Sequence, residues 1–400
     1  MTNLTGGTIA QSNTLYNFPV ASLQVTKDFY KCGFFELARK YKIINDASMG
    51  AAKKGKGDEI VISDLKRLDS KGIDPNSDAY AQAKTLEGGQ RRLRLGIYKD
   101  EYKILRSHSI SAQRDSTGVL TEMSKEVTQL ISTHFTNLMC IGMLNQLAGN
   151  TATSISAPLI ASTAFTGTEA NRARLLADGL APTTSRFIYG SNQNHANPSL
   201  INGTNTPLTM QDINRAHRII SRSFAGVTTF ERLNIQAGGK TINTVTLVSE
   251  TGFYQLLDQA RAANADHTMS QLTYSTIESG KSVDDIMDGI YLPSCKTLLI
   301  SMPDDLMPRA VHSGTENTDS RCCLILGKGA LDFCLGFAYP NATAPSAYIS
   351  VDRNKDPHND WDYVNLRVIM AGRKVQLFGF GANRANLYDY STFVIYHSAP

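Results

Sequence analysis

Between Thr121 and Gly149 the chain carries the pattern that most restricts how it can fold. Apolar side chains fall at Leu120, Met123, Val127, Leu130, Ile131, Phe135, Leu138, Ile141, Leu144 and Leu147. Steps of three and four place them on one stripe, which predicts an amphipathic helix. The stretch has no proline, Gly142 is its one internal weak point, and Gly149-Asn150 supplies a stop. At 1.5 Å per residue it would be about 40 Å long. Polar Ser124, Gln129, Thr133 and Asn137 mark the opposite face and break any sustained heptad. A helix of that length needs other elements laid along it, so the rest of the chain is read around this spine.

Just before it lies a charged segment. Lys53 to Arg106 holds thirteen Lys or Arg and nine Asp or Glu, an excess equal to the whole chain's net charge of +4. Such a two-sign stretch is either a solvated surface or a surface that meets another subunit through charged contacts. Gly55-Lys56-Gly57-Asp58 reads as a turn and Glu59-Ile60-Val61-Ile62 as a strand. Asp69 to Ala83 reads as an exposed tip, and extended stretches return through Arg91 to Leu95 and Tyr98 to Leu105. This predicts a long hairpin with little apolar surface of its own. Isolated hairpins are marginal in water, so a neighbouring subunit is the expected support. Arg91, Arg92 and Arg94 cluster where guanidinium groups could pair with a neighbour's carboxylates. Lys56, Asp58, Lys71, Lys84, Glu87, Arg91, Arg92 and Arg94 are the expected inter-subunit contacts.

Elsewhere the pattern is mixed. Met1 to Ser22 is polar and aperiodic, Phe29 to Ile44 carries a short helical pattern, and Asn150 to Thr206 reads as loose with one helix at Thr168 to Ala177. Helices are predicted at Thr209 to Ser223 and Gly252 to Ala263. Strands are predicted at Thr244 to Ser249, Thr297 to Ile300, Cys323 to Leu326, Phe333 to Phe337 and Tyr348 to Val351. A last strand pair, Val364 to Ala371 and Arg373 to Phe378, is expected to turn at Gly372.

A composition of 42% hydrophobic and 19% charged residues is that of a folded chain, long enough for two or three cores. Met1 to Gln11 has neither the basic nor the apolar region of an export signal, and no apolar run approaches the roughly 20 residues of a membrane span. The six cysteines (Cys32, Cys140, Cys295, Cys322, Cys323 and Cys334) form no C-x-x-C pair and read as reduced core filler.

Catalytic patterns fail at required positions. Ser279-Gly280-Lys281-Ser282 ends like a phosphate-binding loop, but Ser275 stands where its first glycine belongs. Asp352 to Asp356 begins like a calcium loop that then has Pro357 for glycine and Tyr363 for glutamate. No H-E-x-x-H, zinc spacing or G-x-S-x-G elbow occurs. His134 reads as a core histidine, the Cys322-Cys323 pair as packed in a strand, and the sequons at Asn202 and Asn341 carry no weight without export. No cofactor, metal or catalytic residue is expected.

The order of elements, with short motifs at matching places, resembles the major capsid proteins of tailed bacteriophages. The branch it resembles more closely is that of short-tailed phages related to coliphage N-four. The motifs are Gly55-Lys56-Gly57-Asp58, Leu86-Glu87-Gly88 and Leu147-Ala148-Gly149, then Leu208-Thr209-Met210-Gln211-Asp212-Ile213-Asn214-Arg215-Ala216. After these come Leu324-Ile325-Leu326-Gly327 with Ala330-Leu331, and Gly372-Arg373-Lys374 with Leu377-Phe378-Gly379. The resemblance implies an α+β, Hong Kong 97-like fold. Its parts would be an N-terminal arm (1–52), an extended β-hairpin loop (53–112) and a peripheral domain with the spine helix (113–207). An axial domain (208–345), peripheral closing strands (346–379) and an unplaced C-terminal tail (380–400) would follow. It further implies a non-enzymatic structural protein, expressed late and assembled in the host cytoplasm into the virion capsid. Copies would form hexamers and pentamers round double-stranded DNA, helped by a separate scaffolding protein and a portal, with decoration proteins possible. An encapsulin shell round cargo enzymes, or an unrecognised α/β enzyme, are the alternatives.

Overall fold

A computed structural model describes residues 33–45, 59–65, 88–94, 96–105, 136–137, 139–149, 186–190, 201, 206–221, 230–237, 239–262, 289–312, 315–317, 319–335, 349–355, 361–378 and 387–399. Two sheets organise them.

The first has six strands in the order Phe187–Tyr189, Thr392–Ser398, Ser320–Leu326, Thr244–Ser249, Thr297–Met302 and Gly289–Leu292. Thr244–Ser249 (TVTLVS) is rich in β-branched residues and buried at every position, as befits a strand covered on both faces. It runs parallel to Thr297–Met302, and the helix Glu250–Ala262 begins the crossover between them. Alternation sorts Ser320–Leu326 onto two cores: Cys322, Leu324 and Leu326 join one, Cys323 and Ile325 the other. The second core is roofed by the helices Met210–Ser221 and Glu250–Ala262, through Ile213, Ala216 and Leu256. Met210–Ser221 starts on a reciprocal cap. The Asp212 N–H donates to Thr209 Oγ1 (3.2 Å), and the Thr209 N–H donates to Asp212 Oδ2 (3.0 Å).

The second sheet is built on one long strand, Trp361–Lys374. Ile349–Lys355 and Leu331–Leu335 lie antiparallel along it, Gly96–Leu105 pairs with its other edge, and Ile44–Asn45 runs parallel to Leu331–Asp332. The turn expected at Gly372 is absent. That glycine lies inside the strand opposite Phe333, and a Cβ there would run into Sδ and Cε of Met143. The missing side chain lets a helix close on the sheet, a role of strand glycines that the sequence pattern does not separate from turning.

That helix is the end of the expected spine. Residues 136–137 and 139–148 are helical, and Gly149 (φ +85°) stops the run with its N–H on the Gln146 carbonyl (3.0 Å); residues 121–135 and 138 lie outside the described residues. No polar face survives at this end: every residue from 139 to 148 is buried, Asn145 and Gln146 included. Asn145 satisfies its amide by donating to Ile141 O (2.9 Å). The helix Gly33–Lys40 adds Phe34 and Phe35 to the same core, with Phe35 5.2 Å from Phe333. Within the expected tail of 380–400, the described residues 387–399 belong to the fold. Thr392–Ser398 (TFVIYHS) is wholly buried and sits second in the six-stranded sheet, where its β-branched and aromatic residues fill both cores. The expected helix at 168–177 lies outside the described residues.

Candidate functional site

The charged hairpin exists as a two-stranded sheet, Glu59–Leu65 against Gly88–Arg94. Its register sets Glu59 across from Arg94, Val61 from Arg92 and Ile62 from Arg91. Of the three hairpin side chains described, Leu93 is buried, Ile62 is half-buried and Val61 is 50% exposed. From Gly96 the return arm leaves the hairpin and becomes the outer strand of the five-stranded sheet, pairing Gly96 with Met370 through to Leu105 with Trp361. The expected loop of 53–112 is therefore a hairpin rooted in its own subunit's sheet. Its return arm has ten residues of ladder for support, whereas among the described residues Glu59–Leu65 pairs with Gly88–Arg94 alone. Among the expected contacts, Arg91, Arg92 and Arg94 stand together on the return strand. Lys56, Asp58, Lys71, Lys84 and Glu87 lie outside the described residues.

Sequence reading missed a second region, where residues 327–330 lead from one sheet to the other and lie beside Val375 and residues 389–391. Here Lys374 and Asp389 form an ion pair with both side chains fully buried, Nζ to Oδ1 3.1 Å. With water excluded, opposite charges at this separation attract strongly. Asp389 also accepts from Gln376 Nε2 (2.7 Å). Arg186 is 3% exposed; burial lowers its pKa to about 10 and the charge of Asp389 opposes that shift. Burial likewise lowers the Lys374 pKa against the pull of Asp389. Beside these groups, an open cleft of about 450 Å³ is lined by Lys42, Asn45, Glu231, Lys328, Val375 and Tyr390, among others. Glu231 pairs with Lys328 Nζ (2.7 Å) at its rim and accepts from the Tyr390 hydroxyl.

The remaining titratable groups are packed in place. Burial pushes the Cys322 and Cys323 thiols far up, which removes the thiolate a nucleophile needs. His397 is fully buried, with Nδ1 on the Ser398 carbonyl (2.9 Å) and no hydrogen-bond partner at Nε2 among the described residues; desolvation lowers its pKa to about 4. The residues from Asp352 to Lys355 are strand, paired with Asn365 to Asp362, in place of a calcium loop. His134, the sequons and Ser279 to Ser282 lie outside the described residues. Among the described residues no helix is long and apolar enough to cross a membrane.

No family model matches the chain, and no curated protein matches it by sequence. Solved structures do. The capsid of Ralstonia phage GP4 is 14% identical, over 86% of this chain and 84% of that one, with a TM-score of 0.61. The acid-stable capsid of Helicobacter pylori bacteriophage KHP30 is 9% identical, over 90% and 88%, with a TM-score of 0.53. The capsid of cyanophage Pam1 is 11% identical, over 87% of each chain, with a TM-score of 0.50. The chain thus has the Hong Kong 97-like fold of phage capsid subunits.

Proposed function

We propose that this chain is the major capsid protein of a tailed bacteriophage, many copies of which close into an icosahedral shell round double-stranded DNA. The likeness to phage capsid subunits along nearly the whole chain carries this reading. The hairpin fits it: the return arm is rooted in the subunit and, among the described residues, the outgoing strand is partnered only by its mate. Shell stability then comes from many modest contacts repeated at every copy, since exposed ion pairs contribute only about 0–1 kcal/mol each. Lys56, Asp58, Lys71, Lys84, Glu87, Arg91, Arg92 and Arg94 are the contacts assigned to neighbouring copies. The six-stranded sheet with its two helices would serve as the axial domain, at the centre of hexamers and pentamers. The five-stranded sheet with the spine helix would serve as the peripheral one. A separate scaffolding protein, a portal and decoration proteins are the partners of this assembly in the host cytoplasm, and kinship with the coliphage N-four branch belongs to the same proposal. No catalytic step or cofactor is assigned.

The test is electron microscopy of the protein, expressed alone and together with candidate scaffolding proteins from the same genome. Closed shells of uniform size are the expected result. Subunits that stay monomeric under every assembly condition, or that turn over a substrate, would overturn the reading. Shells that enclose an enzyme and package no DNA would identify an encapsulin instead.

A further inference from the structure

We propose that the outer face of the hairpin docks on the exposed side of the helix Glu250–Ala262 in a second copy of this chain. Among the described residues, two large apolar side chains stand exposed, Val61 at 50% and Tyr254 at 56%. A single exposed apolar residue is ordinary on a surface. These two differ in being set among charges of opposite sign.

The hairpin has two unlike faces. Residues paired across a ladder share a face, and successive residues alternate between faces. The register therefore places Arg92 on the face of Val61, with Arg94 two positions along and Glu59 opposite it. Ile60 and Leu93 are a pair on the other face, and Leu93 is only 2% exposed. The inner face is thus covered within the subunit, while the outer one carries a bare valine beside two arginine positions. On the helix, Glu250, Tyr254 and Asp258 are all exposed and recur every four residues, so they form one stripe. Gly252 and Leu256 are buried on its inner side. From 250 to 259 this helix has two carboxylates and neither Lys nor Arg.

The patches match in spacing as well as sign. Side chains on one face of a strand recur at about 6.7 Å, and those four apart on a helix at about 6 Å. With the return strand laid along the helix, Arg92 meets the Tyr254 ring, whose face attracts a guanidinium, and Arg94 meets a carboxylate one step along. Val61 covers the edge of the ring. Within one subunit both patches are exposed, so neither covers the other. Because they are different surfaces, each copy would give its hairpin and receive another's, a head-to-tail contact that closes rings. The choice of a second copy as partner rests on the capsid reading; the landing site on that copy is new.

The test is cross-linking with a short bis-maleimide in assembled particles of Val61→Cys with Tyr254→Cys, two exposed positions where a small side chain leaves the fold undisturbed. The double variant should give a ladder of covalent multimers, above the background of the native chain and of either single variant. Adding Arg92→Ala should cut that ladder severalfold, as should high salt during assembly. Particles of normal yield without a ladder, ladders in either single variant alone, or a ladder indifferent to Arg92→Ala would overturn the docking and leave the capsid reading standing. If no particles form under any condition, the capsid reading falls. The concentrated double variant in solution then decides the contact: covalent dimers support it, and monomers alone overturn it.

Discussion

Replacing Gly327 by alanine tests the junction between the sheets most directly. A Cβ at this position would fall inside the Glu231 carbonyl oxygen and lie 2.7 Å from Cε1 of Phe230. The carbonyl has little room to retreat, because it accepts the Lys328 N–H (3.0 Å), and the Gly327 N–H is itself held by Ser391 O (2.8 Å). Overpacking of this kind costs about 1–3 kcal/mol, and a lost backbone hydrogen bond adds about 0.5–1.5 kcal/mol. The sum, about 2–4 kcal/mol, corresponds to a melting temperature lower by about 2–5 °C in a chain of this size. Gly142→Ala is the matched control: nothing lies within 4 Å of its added methyl, and the site is interior to a helix. That change should stabilise by about 1 kcal/mol. Urea unfolding of the unassembled subunit, followed by far-ultraviolet circular dichroism, measures both. Equal unfolding free energies for Gly327→Ala and the native chain, or a larger loss for Gly142→Ala, would refute the close approach at the crossing.

Two other outcomes are expected. Changing Arg91, Arg92 and Arg94 together to Ala or Ser should leave a folded subunit with similar melting but lower particle yield, the deficit growing with salt as the remaining ion pairs are screened. A subunit that unfolds in isolation while its recovered shells form normally would return the hairpin to the core. Acid should destabilise the subunit through His397. Its pKa lies near 4 when folded against about 6.5 when unfolded, so the unfolded chain takes up the proton first. Stability is then full above pH 6.5 and declines as pH falls toward 4, by about 3 kcal/mol from this residue. A magnetic-resonance titration of His397 with a midpoint near 6.5 in the folded protein would contradict its burial.

Local chemistry made part of this fold legible in the sequence. Thr244–Ser249 declares itself by an unbroken β-branched and apolar run, and Met210–Ser221 by the apolar stripe through Met210, Ile213, Ala216 and Ile219-Ile220. The hairpin shows in its turn residues and thin apolar content, and the arginine cluster falls on the return strand as expected. Each of these depends on residues within one turn or one strand of each other, which is the range over which periodicity and capping act.

Tertiary structure decided the rest. Thr392–Ser398 has a strand's composition, yet its place beside Ser320–Leu326 joins residues more than 60 apart in sequence, and no local pattern encodes the partner. Gly372 looks like a turn until Met143 is known to press on it. Gln146 and Asn145 look like a wet helix face, and are buried because elements from both sheets close round the helix end. Lys374 and Asp389 look like surface charges for the same reason: burial of a charge is worthwhile only beside its partner, and that partner is brought up by the folding of distant segments. A sequence states which residues prefer helix, strand or water; which surfaces meet depends on the chain's long-range path.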